Sequence, residues 1–335
     1  MMVKAPVDYY YCSKNYGVNK EAHQGSPKQR GAPTIRTDTY VQTTEIDAVC
    51  YLCNDGEVDD NAGQPLRRDC ACRGTDAGFV HLSCLTGYAA AKSKQARDTN
   101  EFFNPRQICP GCQKDYQNEL FIDIANKFVP FVRRQYPDDT RRQVESLHVR
   151  LRAFNNMLGR LQPVLKIEAG DAANVLLSMI DRMKNDAPLT GRFSSFAAYA
   201  HNVHGLIALL EGTEESARRA VTHFEKFLEV SEEVGYVEGI AVAKGSIAIA
   251  KSKYEGSNSD EEVLKASRDV YELRIAQLGE ESEQTIWAGK NYAIGLQNAN
   301  RGDEARELSM KLLATSKQVL GPHHSTTKEV ENTIN

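Results

Sequence analysis

The chain has 335 residues, 41% of them hydrophobic and 26% charged, with a formal net charge of −4 at pH 7. That length and composition suit two or three ordinary globular domains. The near balance of charge argues against nucleic acid or an anionic membrane as the main partner. No run approaches the ~20 apolar residues that span a bilayer, and the N-terminus shows no apolar signal stretch. The expected location is the cytoplasm, with the nucleus possible.

Residues 1–46 are rich in Gly, Pro, Ser, Thr, Lys and Tyr and keep neither a helical nor a strand period. A disordered arm is expected there. Its Tyr9–Tyr11 run reads as solvated tail rather than a docking or phosphorylation patch, and Cys12 as an ordinary free thiol.

The next segment, 47–117, holds seven of the eight cysteines. With no export signal, such a cluster favours metal over disulfides. Its ligands read Cys50-x2-Cys53, sixteen residues, Cys70-x-Cys72, eight residues, His81-x2-Cys84, twenty-four residues, Cys109-x2-Cys112. A two-residue gap lets both side chains of a knuckle reach one tetrahedral centre, and eight ligands complete two tetrahedra. Ions so enclosed are structural. They keep no open position for a hydrolytic water, so no catalytic residue is assigned.

Four Cys, one His and three Cys in this order occur in PHD fingers and in RING-CH domains. The long gap before His81, Gln107 where a PHD finger has an aromatic, Cys70-Ala71-Cys72 followed by Arg73-Gly74, and His81-Leu82-Ser83-Cys84-Leu85 resemble the RING-CH domain. That resemblance implies two zinc ions bound in cross-braced fashion. Cys50, Cys53, His81 and Cys84 would hold one, and Cys70, Cys72, Cys109 and Cys112 the other. It also implies docking of a ubiquitin-conjugating enzyme on Leu52, Tyr88 and Pro110. Tyr88 stands where many relatives have Trp. Gln113 stands where many RING ligases have a cation just after the last ligand.

From Asn118 the chain becomes rich in Ala, Leu, Glu, Lys and Arg, with apolar residues three and four apart, which predicts amphipathic helices. Leu120, Ile124, Phe128, Phe131 and Val132 mark a first helix closed by Pro137. Further helices are expected over 138–162 and 171–185, ended near Pro163 and Pro188. Segment 118–190 is thus a helical connector or a degenerate repeat.

Over 191–335 an internal repeat emerges. Gly235, Gly279 and Gly321 each sit where a helix should end, 44 and then 42 residues apart. Glycine accepts the left-handed conformation of a helix C-cap. Two apolar-striped helices fit between successive caps: Phe196 to Leu210 with Ala217 to Leu228, Ile240 to Tyr254 with Val263 to Leu273, and Ile286 to Leu296 with Ala305 to Leu312. Such pairs bury their apolar faces only by stacking. Tyr292-Ala293…Leu296, the Gly302-Asp303-Glu304-Ala305 turn and the Val319-Leu320-Gly321-Pro322-His323-His324 ending resemble tetratricopeptide repeats of the longer kinesin light chain kind. That resemblance implies a groove for peptides or protein partners. The middle unit departs from the pattern by an insert at Ser257–Asp260.

Two further clusters read as bland. His201 and His204 lie one turn apart and favour a groove or surface position, since no further metal ligand is evident nearby in sequence. Arg133-Arg134 and Arg141-Arg142 are interleaved with acids and read as a solvated junction. The expected protein is mainly α: a zinc-stapled RING-CH domain followed by a tetratricopeptide-like superhelix. The expected function is that of a RING-type ubiquitin-protein ligase with its substrate on the repeats. The alternative is a non-catalytic zinc-finger adaptor.

Overall fold

A computed structural model describes residues 48–56, 65–72, 77–186, 191–255 and 259–334. The arm 1–46 with Tyr9–Tyr11 and Cys12, the Arg73-Gly74 pair, Pro188, and Ser257 of the insert lie outside the described residues.

The first described part is mostly loop. It contains α1 (Leu82–Gln95) and the single turn α2 (Thr99–Phe103). Its only β pairing among the described residues is two isolated bridges, Arg67 with Val80 and Ile108 with Asp115. Then helices follow without interruption by sheet: α3 (Asn118–Gln135), α4 (Thr140–Asn155), α5 (Pro163–Asp186), α6 (Gly191–Glu211), α7 (Glu214–Glu233), α8 (Val237–Glu255), α9 (Ser259–Leu278), α10 (Glu283–Asn298), α11 (Gly302–Val319) and α12 (Ser325–Asn332). Each packs on the next in chain order, as short connections between stacked helices require. Among the described residues no helix is long and apolar enough to cross a membrane.

Local chemistry explains the boundaries. Asp139 caps α4 by accepting from the Arg142 amide at 2.9 Å. Thr213 and Ser216 cap α7 reciprocally, side chain to backbone in both directions. These pairings satisfy amides that a helix start leaves bare. The repeat glycines take positive φ, +66° at Gly235, +79° at Gly279 and +95° at Gly321, just past α7, α9 and α11.

Three expectations need correction. The helix expected over 138–162 is α4, ending at Asn155, with a separate 3-10 turn at Leu158–Arg160. The helix expected over 171–185 begins at Pro163, which opens α5 instead of only closing its predecessor. A proline at a helix's first position loses nothing, because that amide has no intrahelical acceptor. Leu210, placed on the α6 stripe, is 43% exposed, because the helix ends one residue later. Pro130 lies inside α3, a placement that propensity alone disfavours.

The strongest of the expected apolar faces are buried: Leu120, Ile124, Phe128 and Val132 on α3, and Ile286, Ala293 and Leu296 on α10. One continuous core of buried side chains runs from Cys50 to Val330. The loop-rich part and the helical array therefore share packing. Arg152 of α4 reaches back to Asp115 and Gln107. Gln117 bonds His324 and Ser325 from the far end of the chain.

Candidate metal centres

The loops place the eight ligand residues in two tetrads. The donor atoms of Cys50, Cys53, His81 and Cys84 lie within 4.8 Å of one another, and so do those of Cys70, Cys72, Cys109 and Cys112. The first tetrad joins the knuckle at 50–53 to the start of α1. The second joins the 70–72 segment to the knuckle at 109–112. Ligand pairs thus alternate between centres along the chain, which ties separate loops together.

Backbone bonds shape each knuckle. The Asn54 amide donates to the Cys50 carbonyl at 2.8 Å, and the Gln113 amide to that of Cys109 at 2.9 Å. Asn54 and Gln113 then take positive φ, 65° and 57°, which turns the chain out of each knuckle. The Tyr51 amide, donating to the Phe79 carbonyl at 3.0 Å, brings the first knuckle beside the extended segment that leads to His81.

The donor chemistry fits a tetrahedral ion. In the first tetrad the Cys53 Sγ stands 3.5 Å and the Cys84 Sγ 3.8 Å from His81 Nδ1. In the second the Cys72 and Cys109 sulfurs are 3.6 Å apart. Metal–sulfur bonds of ~2.3 Å and metal–nitrogen bonds of ~2.0 Å put ligands at such separations. His81 is fully buried, and its Nε2 lies 3.2 Å from the Gly56 carbonyl. Donation there puts the proton on Nε2 and leaves the Nδ1 lone pair facing the sulfurs, the arrangement that orients a metal-bound imidazole. All seven of these cysteines are unbridged. Burial first, joined by the Cys109 and Cys112 sulfurs and opposed by a hydrogen bond with Cys70, pushes the Cys72 thiol up to about 12. Four thiolates there need a cation among them.

Glycines make room for the second centre. Gly78 has φ +85°, and a Cβ there would come within 2.8 Å of the Cys72 Cβ and 3.2 Å of the Cys70 sulfur. Gly111, inside the last knuckle, would place a Cβ 3.2 Å from the Cys72 sulfur. Neither requirement is visible in ligand spacing alone. For Gly78, only the presence of a glycine in a Cys-rich loop hints at it.

The other named residues sit around the centres. Leu52 lies in the first knuckle, Pro110 in the last and Tyr88 on α1, all half-buried. Lys92 lies over the Tyr88 ring at 5.8 Å. Gln113 donates from Nε2 to the Pro110 carbonyl at 2.7 Å, so its side chain folds back on the knuckle. On the helical side, the structure adds a residue that local sequence did not connect. His223 of α7 stacks on His204 with ring centroids 4.9 Å apart, and lies 5.8 Å from His201.

Residues 50–112 match the family model of the RING-variant domain. The match takes in both tetrads and every ligand. A search of curated proteins finds no match. Among solved structures, the chain is similar to a Podosopora anserina protein described as a putative kinesin light chain with nearly identical TPR-like repeats. A point-substituted form of that protein gives a TM-score of 0.37 and a second structure gives 0.35. Both are 12% identical, and each match covers 71% of this chain and 95% of that one. The chain is a mainly helical protein in which a segment matching the RING-variant domain precedes an array of consecutively packed helices.

Proposed function

We propose that this protein is a RING-type ubiquitin-protein ligase. In this reading the zinc domain docks a ubiquitin-conjugating enzyme and the helical array holds a protein substrate. Two zinc ions fill the tetrads. The observation that carries the reading is the RING-variant match over 50–112 together with eight ligands gathered in two tetrads. The zinc ions supply fixed geometry and no reaction chemistry, since each is closed by four protein donors.

The chain's own residues then act by position. Leu52, Tyr88 and Pro110 offer apolar surface to the carrier enzyme, whose thioester stays on that enzyme. A substrate lysine is the nucleophile, and the gain comes from holding the two partners together and favouring reactive arrangements of the loaded carrier. No covalent intermediate forms on this chain. A cytoplasmic location, with the nucleus possible, accords with a zinc domain of free cysteines.

The test is discharge of ubiquitin from a panel of loaded conjugating enzymes, with wild type beside Leu52→Ala. Acceleration by wild type, lost in the variant while metal content holds, supports the ligase. No acceleration across the panel, from protein with both ions bound, removes it. A second reading, an interaction adaptor, is favoured by one observation. Gln113 carries no charge and is tied to Pro110, where a RING ligase commonly presents a cation.

A further inference from the structure

The three residues assigned above to carrier docking do not belong to one metal centre. Leu52 lies between two ligands of the first tetrad, and Tyr88 follows the other two on α1. Pro110 lies inside the last knuckle, which belongs to the second tetrad. An ion orders its own four ligands. The spacing between Tyr88 and Pro110 is left to protein contacts between the tetrads.

Arg106 makes such contacts. It closes the 3-10 turn Asn104–Arg106, three residues before Cys109 and four before Pro110. It is 3% exposed. Its Nη1 donates to the Ser93 hydroxyl of α1 and, at 2.8 Å, to the Phe102 carbonyl of α2. The Ser93 hydroxyl in turn donates at 2.8 Å to the carbonyl of Ala89, one residue past Tyr88. The guanidinium lies over two rings of α3, 4.0 Å from the Phe128 centroid and 5.0 Å from that of Phe131. One side chain thus reaches the helix that carries Tyr88, the entry to the Pro110 knuckle and the first helix of the array.

A cation at this place costs stability unless its partners offset the lost hydration. No carboxylate is among the charges acting on Arg106, so aromatic rings and two neutral acceptors must hold it. Burial pulls it down only to about 10, and it stays charged at pH 7. A methionine would fill similar space without that cost, but it has no donors with which to tie α1 to α2.

We propose that Arg106 is a positioning residue for carrier docking, which acts through Ser93 to hold α1 so that Tyr88 stands at a set spacing from Pro110. The inference rests on the ligase reading and deepens it, by naming what assembles one docking face from two metal centres. Displacing one part of such a face weakens binding and leaves the chemistry of the bound carrier alone.

The experiment compares full-length wild type, Ser93→Ala, Arg106→Met, the double variant and Arg106→Lys. Saturation kinetics of ubiquitin discharge are measured with the conjugating enzyme that wild type accelerates most. Ser93→Ala and Arg106→Met should raise KM roughly threefold and roughly tenfold, with kcat near wild type and both ions retained. The double variant should be no weaker than Arg106→Met, because both changes cut one connection. Arg106→Lys keeps a charge over the rings and should recover part of the loss. Hydrogen exchange should quicken at α1 amides beyond Tyr88 and not in α5–α12. A merely structural role would lower the melting temperature and leave KM where it was. Should Arg106→Met fail to fold, Ser93→Ala decides, since it removes one hydroxyl. Wild-type discharge with KM unchanged in the variants, or raised only where metal is lost, removes this role and leaves the ligase. No wild-type discharge from any conjugating enzyme removes the ligase reading, and this role with it.

Discussion

Arg152 of α4 lies 3.6 Å from Asp115, three residues past the last metal ligand, and both side chains are less than a tenth exposed. A buried pair of this kind is worth little against an apolar replacement of both members, but breaking it strands a charge. Arg152→Met should destabilise the fold by roughly 3–5 kcal/mol, whereas the double change Arg152→Met with Asp115→Leu should recover much of that loss. Denaturant melts of the four proteins in the cycle measure the coupling. Additive losses would show that the two residues act separately.

Gly78→Ala tests the second metal centre without touching a ligand. The new methyl would have to displace Cys72, and the left-handed backbone adds strain. Metal analysis should show loss of the ion held by Cys70, Cys72, Cys109 and Cys112, with the other tetrad retained. Two ions still bound at full strength would mean that the loop relaxes around the methyl.

Chelation or acid should uncouple the two halves of the protein unequally. The ligands bind metal only when deprotonated, so affinity falls as pH falls, and metal binding is part of the folding energy of so small a loop region. The segments around the tetrads should unfold while α3–α12 stay largely helical by circular dichroism. The array should nevertheless melt earlier, because Asp115 and Gln117 brace α4 and the α11–α12 turn. Cys109→Ser should mimic chelation and Cys12→Ser should not.

Glu145 makes a pH-dependent prediction. Burial, first, raises its carboxyl to about 7 despite Arg192 at 3.4 Å, and one of its oxygens has no hydrogen-bond partner. The folded state thus holds this proton better than the unfolded chain does. Its contribution to stability is whole below about 4.5 and is lost as pH rises through about 7. Glu145→Gln should therefore stabilise the protein at pH 8 by roughly 1–3 kcal/mol and change little at pH 5. A destabilised Gln variant at pH 8 would show that the Arg192 pairing outweighs burial.

The sequence made the local features legible. Ligand identity and order follow from short gaps, and the three repeat glycines sit at helix ends because no other residue takes positive φ so cheaply. The turn before α11 shows the limit of that rule. Gly302 opens the helix, and the left-handed residue is Asn300, with φ 60°. Asparagine tolerates this conformation, but so close to a glycine it gives no signal. Contacts between residues far apart in the chain were not legible. His223 joins His201 and His204 only once α7 folds back on α6. Gln117 meets His324 across 207 residues. Pro163 reads as a stop or a start according to which side of it supplies packing.

Helix α3 begins at Asn118, only six residues past Cys112, and that short span is bonded to Asp69, Arg152 and His324. The loops that carry the two tetrads and the helical array are joined by a joint with no slack. Under the proposed function, a substrate held by the array is then presented at one fixed distance from the face around Leu52 and Pro110, as a workpiece is held in a jig. Under the proposed function, the choice of acceptor lysine passes to the partner: only a lysine that its own fold carries to that spot would be modified.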